Sequence, residues 1–203
     1  YNQELFDEAC RIFDREKPDL IYQRYSLNNY TGVMLSLKYN IPLVIEYNGS
    51  EIWVAENWGK GLIFKGMTKK IEILNLQAAD LIVVVSEVLR KELLNRGIEE
   101  RKILVNPNGF DPEMYGPEID REEIRKRYGF GDKIVIGFIG TFGPWHGAEV
   151  LAQAIKPVIQ RNSKIHFLFV GDGLRMPMVK EIIKRDGVEG FVILAGLVPV
   201  SYT

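Results

Sequence analysis

The sequence has a single cysteine, Cys10, in 203 residues. It cannot close an intrachain disulfide, and no cysteine pair offers a zinc-finger spacing, so a disulfide framework and a zinc finger are both excluded and the cytoplasm is the expected compartment. An excess of one charge is lacking too. With 26 basic and 27 acidic side chains the formal net charge is −1, which leaves no surplus of cations to neutralise a phosphate backbone. Nucleic acid is thereby set aside as a main partner. Long apolar runs are also missing: the longest uncharged stretch, residues 134–148, is broken by four glycines and a proline and is no membrane span. What is present is 46% hydrophobic residues, enough for a sizeable core. The chain starts at Tyr1 and stops at Thr203 after a strand-like run, and is expected to be an internal piece of a longer protein.

Amphipathic segments alternate with short apolar runs along the whole chain. Leu5, Ala9, Ile12 and Phe13 recur at helical spacing, and Pro18 ends that helix before Leu20-Ile21-Tyr22. Helices are predicted over residues 28–39, 61–79 and 86–96, the last capped by Ser86 and ended by Gly97. Strands are predicted over 43–45, 81–85 and 103–105. Apolar runs between amphipathic helices read as strands buried on both faces, hence as a parallel sheet. A segment with three prolines and two glycines follows Val105, Asn106-Pro107-Asn108-Gly109-Phe110-Asp111-Pro112-Glu113-Met114-Tyr115-Gly116-Pro117. Neither helix nor strand absorbs it, so a domain boundary is placed there: a first unit over residues 1–117, a linker at about 107–120, and a second unit over 118–203. In the second unit helices are predicted over 121–128, 147–161 and 177–185, and strands over 134–139, 165–170 and 192–194.

In parallel α/β sheets ligands bind beyond the carboxyl ends of the strands. The strand Val135-Ile136-Gly137-Phe138-Ile139 runs into Gly140-Thr141-Phe142-Gly143-Pro144-Trp145-His146-Gly147 and then into a helix. Glycines at such a turn let backbone amides approach an anion, and the helix dipole adds about half a positive charge, so the turn reads as a phosphate site. Its glycines also suit a plain tight turn, and both readings stand. Phe167-Leu168-Phe169-Val170 ends in Gly171-Asp172-Gly173. That pattern lacks the third glycine of the dinucleotide fingerprint, which disfavours a nicotinamide cofactor.

These landmarks, taken with Val105-Asn106-Pro107-Asn108-Gly109-Phe110-Asp111, with Val150-Leu151-Ala152-Gln153-Ala154 and with the run Phe191 to Val198, resemble glycosyltransferase family 4 in the family's own order. The resemblance extends over essentially the whole chain. It implies an α/β fold with two Rossmann-like parallel-sheet domains of GT-B type facing across a cleft, both incomplete in this chain. It further implies a retaining transferase that moves a sugar from a nucleotide-diphosphate sugar to a hydroxyl of a glycan or lipid-linked acceptor, without a metal or other cofactor. On the donor side the positions implied are Gly140, Thr141, Gly143, His146, Gly147, Gly171 and Gly173. Asn48 and Glu46 fall at the place of the catalytic strand end, with Arg24 and Glu51 on the acceptor side.

Departures from the family pattern are as informative. Many members carry an arginine and a lysine that pair with the donor diphosphate where this chain has Thr141 and His146, so two permanent charges become a hydroxyl and an imidazole. Diphosphate binding is then expected to lean on backbone amides and helix dipole. Asn48 stands where many members have a histidine; it bonds hydroxyls but does not titrate. Arg24 can pair with Glu46 or meet an anionic part of a substrate. The family's pair of glutamates separated by seven residues is expected beyond Thr203. Three pairs in this chain share that spacing, Glu8 with Glu16, Glu92 with Glu100 and Glu181 with Glu189, and they read as coincidences. Two rival functions stay open: another GT-B activity such as sugar-nucleotide epimerisation or glycosyl phosphorolysis, and a non-catalytic nucleotide-sugar-binding α/β protein. Finally, Lys60-Gly61-Leu62-Ile63-Phe64-Lys65-Gly66-Met67-Thr68-Lys69-Lys70 mixes bulky apolar and basic side chains. It is either a core helix with a solvated lysine face or a peripheral contact with the inner face of a membrane.

Overall fold

The computed structural model describes residues 1–59, 61–113, 115 and 120–198. Lys60, linker residues 114 and 116–119, and residues 199–203 lie outside the described residues. The chain divides into two compact units, Tyr1–Asp111 and Pro112–Thr203.

In the first unit the strands β1 (Ile21–Arg24), β2 (Leu43–Glu46), β3 (Leu81–Val84) and β4 (Ile103–Val105) form one parallel sheet in the order β1-β2-β3-β4. The helices are α1 (Asn2–Phe13), α2 (Thr31–Tyr39), α3 (Glu51–Asn57), α4 (Lys65–Ala78) and α5 (Glu87–Asn95). Leu43, Ile45, Ile82 and Val84 are fully buried with Tyr47, Leu76 and Leu93, and each such aliphatic side chain contributes about 1.5–3 kcal/mol. The Ser86 hydroxyl accepts from the Leu89 amide and caps α5, as its place before an apolar run predicts. Two helices start later than expected. Asn28 takes a left-handed conformation and the Asn29 side chain accepts from the Thr31 amide, which delays α2 to Thr31. Gly61, also left-handed, bonds back to Ala55 and holds the chain out of a helix until Lys65. The helix α3 was not foreseen.

The second unit carries α6 (Glu122–Arg127) and a parallel sheet β5 (Ile134–Ile139), β6 (Ile165–Val170), β7 (Val192–Gly196) in that order, with α7 (Ala148–Arg161) and α8 (Met176–Asp186) between its strands. Phe167 and Phe169 of β6 pack under both helices with Phe142, Ala148, Ala152, Ile155 and Val179. Alanines at the contact let α7 lie close to the sheet. The strands are not buried on both faces as their apolar runs predict. Residues of β2 alternate, Leu43 and Ile45 buried, Val44 and Glu46 only partly so. In the second sheet α7 and α8 occupy one face, while on the other Leu168 is partly buried and Ile139 exposed, beside a hollow lined also by Ile124 and Arg127 of α6 and by Tyr128 after it. Apolar strands run on because a parallel strand is chosen by β-branched residues as well as by double burial.

Candidate functional site

At the end of β5 the chain turns through residues 140–147 before α7 begins, and at the end of β6 it turns through 171–173 before α8. The two turns are laced together. Gly140 N–H donates to Val170 O (3.1 Å), Phe142 N–H to Asp172 O (3.0 Å) and Arg175 N–H to Phe142 O (2.8 Å). A β-carbon on Gly171 would lie 1.9 Å from the Gly140 carbonyl oxygen, and one on Gly173 would lie 2.8 Å from the Phe142 nitrogen. Close backbone approach therefore accounts for these two glycines without any ligand, and it also holds the 171–173 turn against the proposed anion site. Gly147 is left-handed at the N-cap of α7, and the first amides after it, Ala148 and Glu149, have no acceptor within the helix.

His146 is exposed, and its Nδ1 sits against both the Thr141 carbonyl oxygen and, at 3.1 Å, the Thr141 hydroxyl. With two oxygens before it, Nδ1 is assigned the proton, so Nε2 donates to a phosphate oxygen only when the ring is an imidazolium. Thr141 and His146, five residues apart, thus act as one unit above the start of α7. Trp145 stacks edge-on to His146, with ring centroids 5.6 Å apart. Sequence reading missed Arg175. Its guanidinium reaches this corner from the start of α8 and pairs with Glu149 of the first turn of α7 at 3.8 Å.

In the first unit Arg24 and Glu46 are direct partners in the β1/β2 register. Side chains two apart along a strand share a face, so Tyr22 and Arg24 stand beside Glu46. Glu46 accepts from the Asn48 amide at 2.7 Å and the Tyr22 hydroxyl at 3.0 Å, and pairs with Arg24 at 3.7 Å. These donors, Asn48 foremost and then Tyr22, hold the Glu46 carboxyl below the usual carboxylate range. Whatever stability Glu46 contributes is therefore present above the ordinary carboxylate pKa and lost as pH falls through its depressed folded value. Asn48, Glu46 and Arg24 are brought together; Glu51, in the first turn of α3, is not part of that cluster. Tyr22 was missed, although period two along β1 and the β1/β2 pairing point to it.

A second constellation, unseen in the sequence, lies behind Asn48. Glu72 of α4 is buried and accepts from Arg96 at 2.6 Å and from the Ser50 hydroxyl at 3.1 Å. Arg96 also donates to the Tyr47 hydroxyl at 2.8 Å. Burial first, then the Glu72 carboxylate, pushes the Tyr47 phenol up. Burial alone would lower Arg96, but Tyr47 and Glu72 outweigh it and hold the guanidinium above its ordinary value. Ser50 caps α3 by accepting from the Trp53 amide, so the buried carboxylate fixes the segment that follows Asn48. Glu92, expected to be incidental, faces this network from α5 and approaches Arg96 and the Tyr47 hydroxyl at 3.5 Å each.

The mixed apolar and basic segment is not packed as a core helix. Ile63 is 93% and Phe64 67% exposed, and Met67 also faces solvent, while α4 buries Thr68, Glu72, Asn75 and Leu76 instead. Lys65 pairs with Glu56 of α3. Among the described residues no helix is long and apolar enough to cross a membrane, and no cluster of His, Cys, Asp and Glu suits a metal ion.

Residues 5–114 match the family described as Glycosyltransferase Family 4, and residues 133–202 match Glycosyl transferases group 1. An uncharacterized glycosyltransferase of Methanocaldococcus jannaschii is 26% identical over 185 residues, 90% of this chain and 45% of that protein. The phosphatidylinositol N-acetylglucosaminyltransferase GPI3 subunit of Saccharomyces cerevisiae is 28% identical over 131 residues, 64% of this chain and 29% of its own. The crystal structure of Anabaena HepE in complex with UDP superposes with a TM-score of 0.75 at 23% identity, covering 98% of this chain and 52% of that one. This chain thus spans less than half the length of these curated relatives. The shared fold is two parallel-sheet units of the GT-B type.

Proposed function

Since the chain belongs to glycosyltransferase family 4, we propose that the protein transfers a sugar, with retention of anomeric configuration, from a nucleotide-diphosphate sugar to a hydroxyl of a glycan or lipid-linked acceptor. The observation that carries this reading is the turn at the end of β5, where the amides of Ala148 and Glu149, the Thr141 hydroxyl and the His146 ring gather at the start of a 14-residue helix. As the anomeric bond breaks, negative charge grows on the leaving diphosphate, and donors fixed in place before the reaction stabilise it without reorganising. Gly140 and Gly147 keep side chains out of the way of that contact, and Gly143 lets the Trp145 ring lie against the turn, where an added β-carbon would come within 2.7 Å of it. Gly171 and Gly173 act by holding the second turn against the first. On the first unit Asn48 and Glu46 are assigned to the acceptor hydroxyl, with Arg24 and Glu51 on the acceptor side. No metal or cofactor is part of this reading.

UDP is the donor nucleotide to test first, because HepE is described with it. At a pH where the His146 ring is an imidazolium, His146→Ala is expected to lose a hydrogen bond to a charged group, about 1.5–3 kcal/mol, and so to weaken UDP binding roughly tenfold or more. Calorimetric titration of UDP, with a transfer assay alongside, checks this. Equal affinity and equal turnover would remove His146 from the donor site. Conversion of the nucleotide sugar to an epimer, with no transfer to any acceptor, would favour the rival activity.

Ile63, Phe64 and Met67 flanked by Lys69 and Lys70 suit a peripheral contact with an anionic membrane face, such as the cytoplasmic leaflet where lipid-linked acceptors are presented. Phe64→Glu should abolish co-sedimentation with phosphatidylglycerol vesicles while leaving UDP affinity unchanged. Retention of vesicle binding by this variant would dismiss the contact.

A further inference from the structure

The chain enters α3 at Ser50 and leaves it at Trp58, and this short helix holds two indoles in view of solvent. Trp53 and Trp58 meet edge to face with ring centroids 4.5 Å apart, and they remain 51% and 38% exposed. Between them, Leu89 and the 48–50 segment is a hollow of about 410 Å³, within the range of ~300–1,000 Å³ typical of small-ligand sites. Its polar lining comes from Asn48, Ser50 and Glu92, and no lysine or arginine is among the lining residues. Arg96, just behind, is engaged by Glu72 and Tyr47 and also meets Glu92 at 3.5 Å.

That combination selects among occupants. A phosphate group would face the Glu92 carboxylate, whose ion-pair partner among the described residues, Arg96 at 3.5 Å, is already shared with the buried Glu72. An alkyl chain would suit the indoles and Leu89 but would strip water from Glu92 without offering a hydrogen bond, which is costly for a charge. A pyranose ring satisfies both halves of the hollow: its C–H face lies on an indole while its hydroxyls donate to the carboxylate and to the Asn48 amide oxygen. The geometry points to a sugar-binding subsite at Trp53, Trp58, Asn48 and Glu92, occupied by one pyranose of a glycan acceptor. This deepens the transferase reading above and rests on it for the word acceptor; binding of the ring itself does not. Asn48 also touches Glu46, so a ring in the hollow stands next to the carboxylate cluster at the end of β2.

The test uses the protein with Trp145→Phe, in which the emission of this chain comes from Trp53 and Trp58. It is titrated with the methyl glycosides of glucose, galactose, mannose and N-acetylglucosamine, and UDP affinity is measured separately by calorimetry. At least one glycoside should change the emission saturably. Trp58→Ala and Glu92→Gln should each weaken that binding by about tenfold, and Trp58→Phe should largely retain it. UDP affinity should be the same in these variants as in their parent. Absence of saturable binding by all four glycosides overturns the proposal, as does unchanged binding in both Trp58→Ala and Glu92→Gln. So does equal binding of octyl glucoside and octyl tetraethylene glycol, which would assign the hollow to an alkyl chain. Failure to bind UDP, with the glycoside results as expected, would count against the donor reading and leave the sugar subsite standing.

Discussion

Gly171→Ala is expected to destabilise the second unit by at least ~2 kcal/mol, the sum of two separate penalties. Gly171 has φ +122°, a region that residues with a β-carbon rarely enter, and forcing one there costs ~1–3 kcal/mol. The added carbon would also lie 1.9 Å from the Gly140 carbonyl oxygen, and overpacking of this kind costs ~1–3 kcal/mol or more. Neither side can give way cheaply. Gly171 N–H is bonded to Gly196 O at 2.7 Å, and Gly140 N–H to Val170 O at 3.1 Å, so moving either backbone breaks the ladder between β5, β6 and β7. For a unit of this size the melting temperature should fall by about 8 °C or more. Gly190→Ala is the control: nothing lies within 4 Å of its added carbon, and a change within about 0.5 kcal/mol is expected. Calorimetric melts of the two variants decide the point, and equal melting temperatures would mean that the two strand-end turns are not packed on each other as described.

That packing shows which parts of the fold a sequence can reveal. Strands and helices were legible because each is a local pattern: four apolar residues between amphipathic stretches, a serine before Leu89, a left-handed Asn40 closing α2. What escaped was long-range. The buried face of α4 is largely polar: beside Leu76, Glu72 and Asn75 are inside because their partners come from elsewhere, Ser50 and Arg96 for Glu72 and the Asn29 carbonyl for Asn75. Ile63 and Phe64, just before α4, and Met67 within it face solvent instead. At seven residues α3 is too short for a helical period to emerge, so Trp53 within it and Trp58 just after it carried no signal. Arg24, Glu46 and Asn48 could be singled out because strand ends are predictable, whereas Tyr22 and Arg175 become neighbours of the candidate sites only through strand register and through the packing of α8.

The buried ion pair behind Asn48 supplies the other large effect. Arg96→Met should cost the first unit about 3–5 kcal/mol, because Glu72 would keep a carboxylate out of water with its cation removed. The Glu72 side chain is only 2% exposed, which argues for the upper part of that range. Arg96 keeps 24% of its side chain exposed, and water entering beside a methionine moves the expectation toward the lower part. The Ser50 hydroxyl remains to bond Glu72, but a single neutral donor does not replace a guanidinium. Combining Arg96→Met with Glu72→Gln removes the stranded charge while keeping an acceptor for Ser50, so the double variant should recover most of the loss. Denaturant melts of the two single variants and the double variant form a cycle whose coupling energy isolates the pair. Additive losses would show that the two side chains do not depend on each other. Because Ser50 links this carboxylate to the start of α3, the Arg96→Met protein should also bind methyl glycosides less well at temperatures where it is still folded, and the double variant should regain that affinity together with its stability.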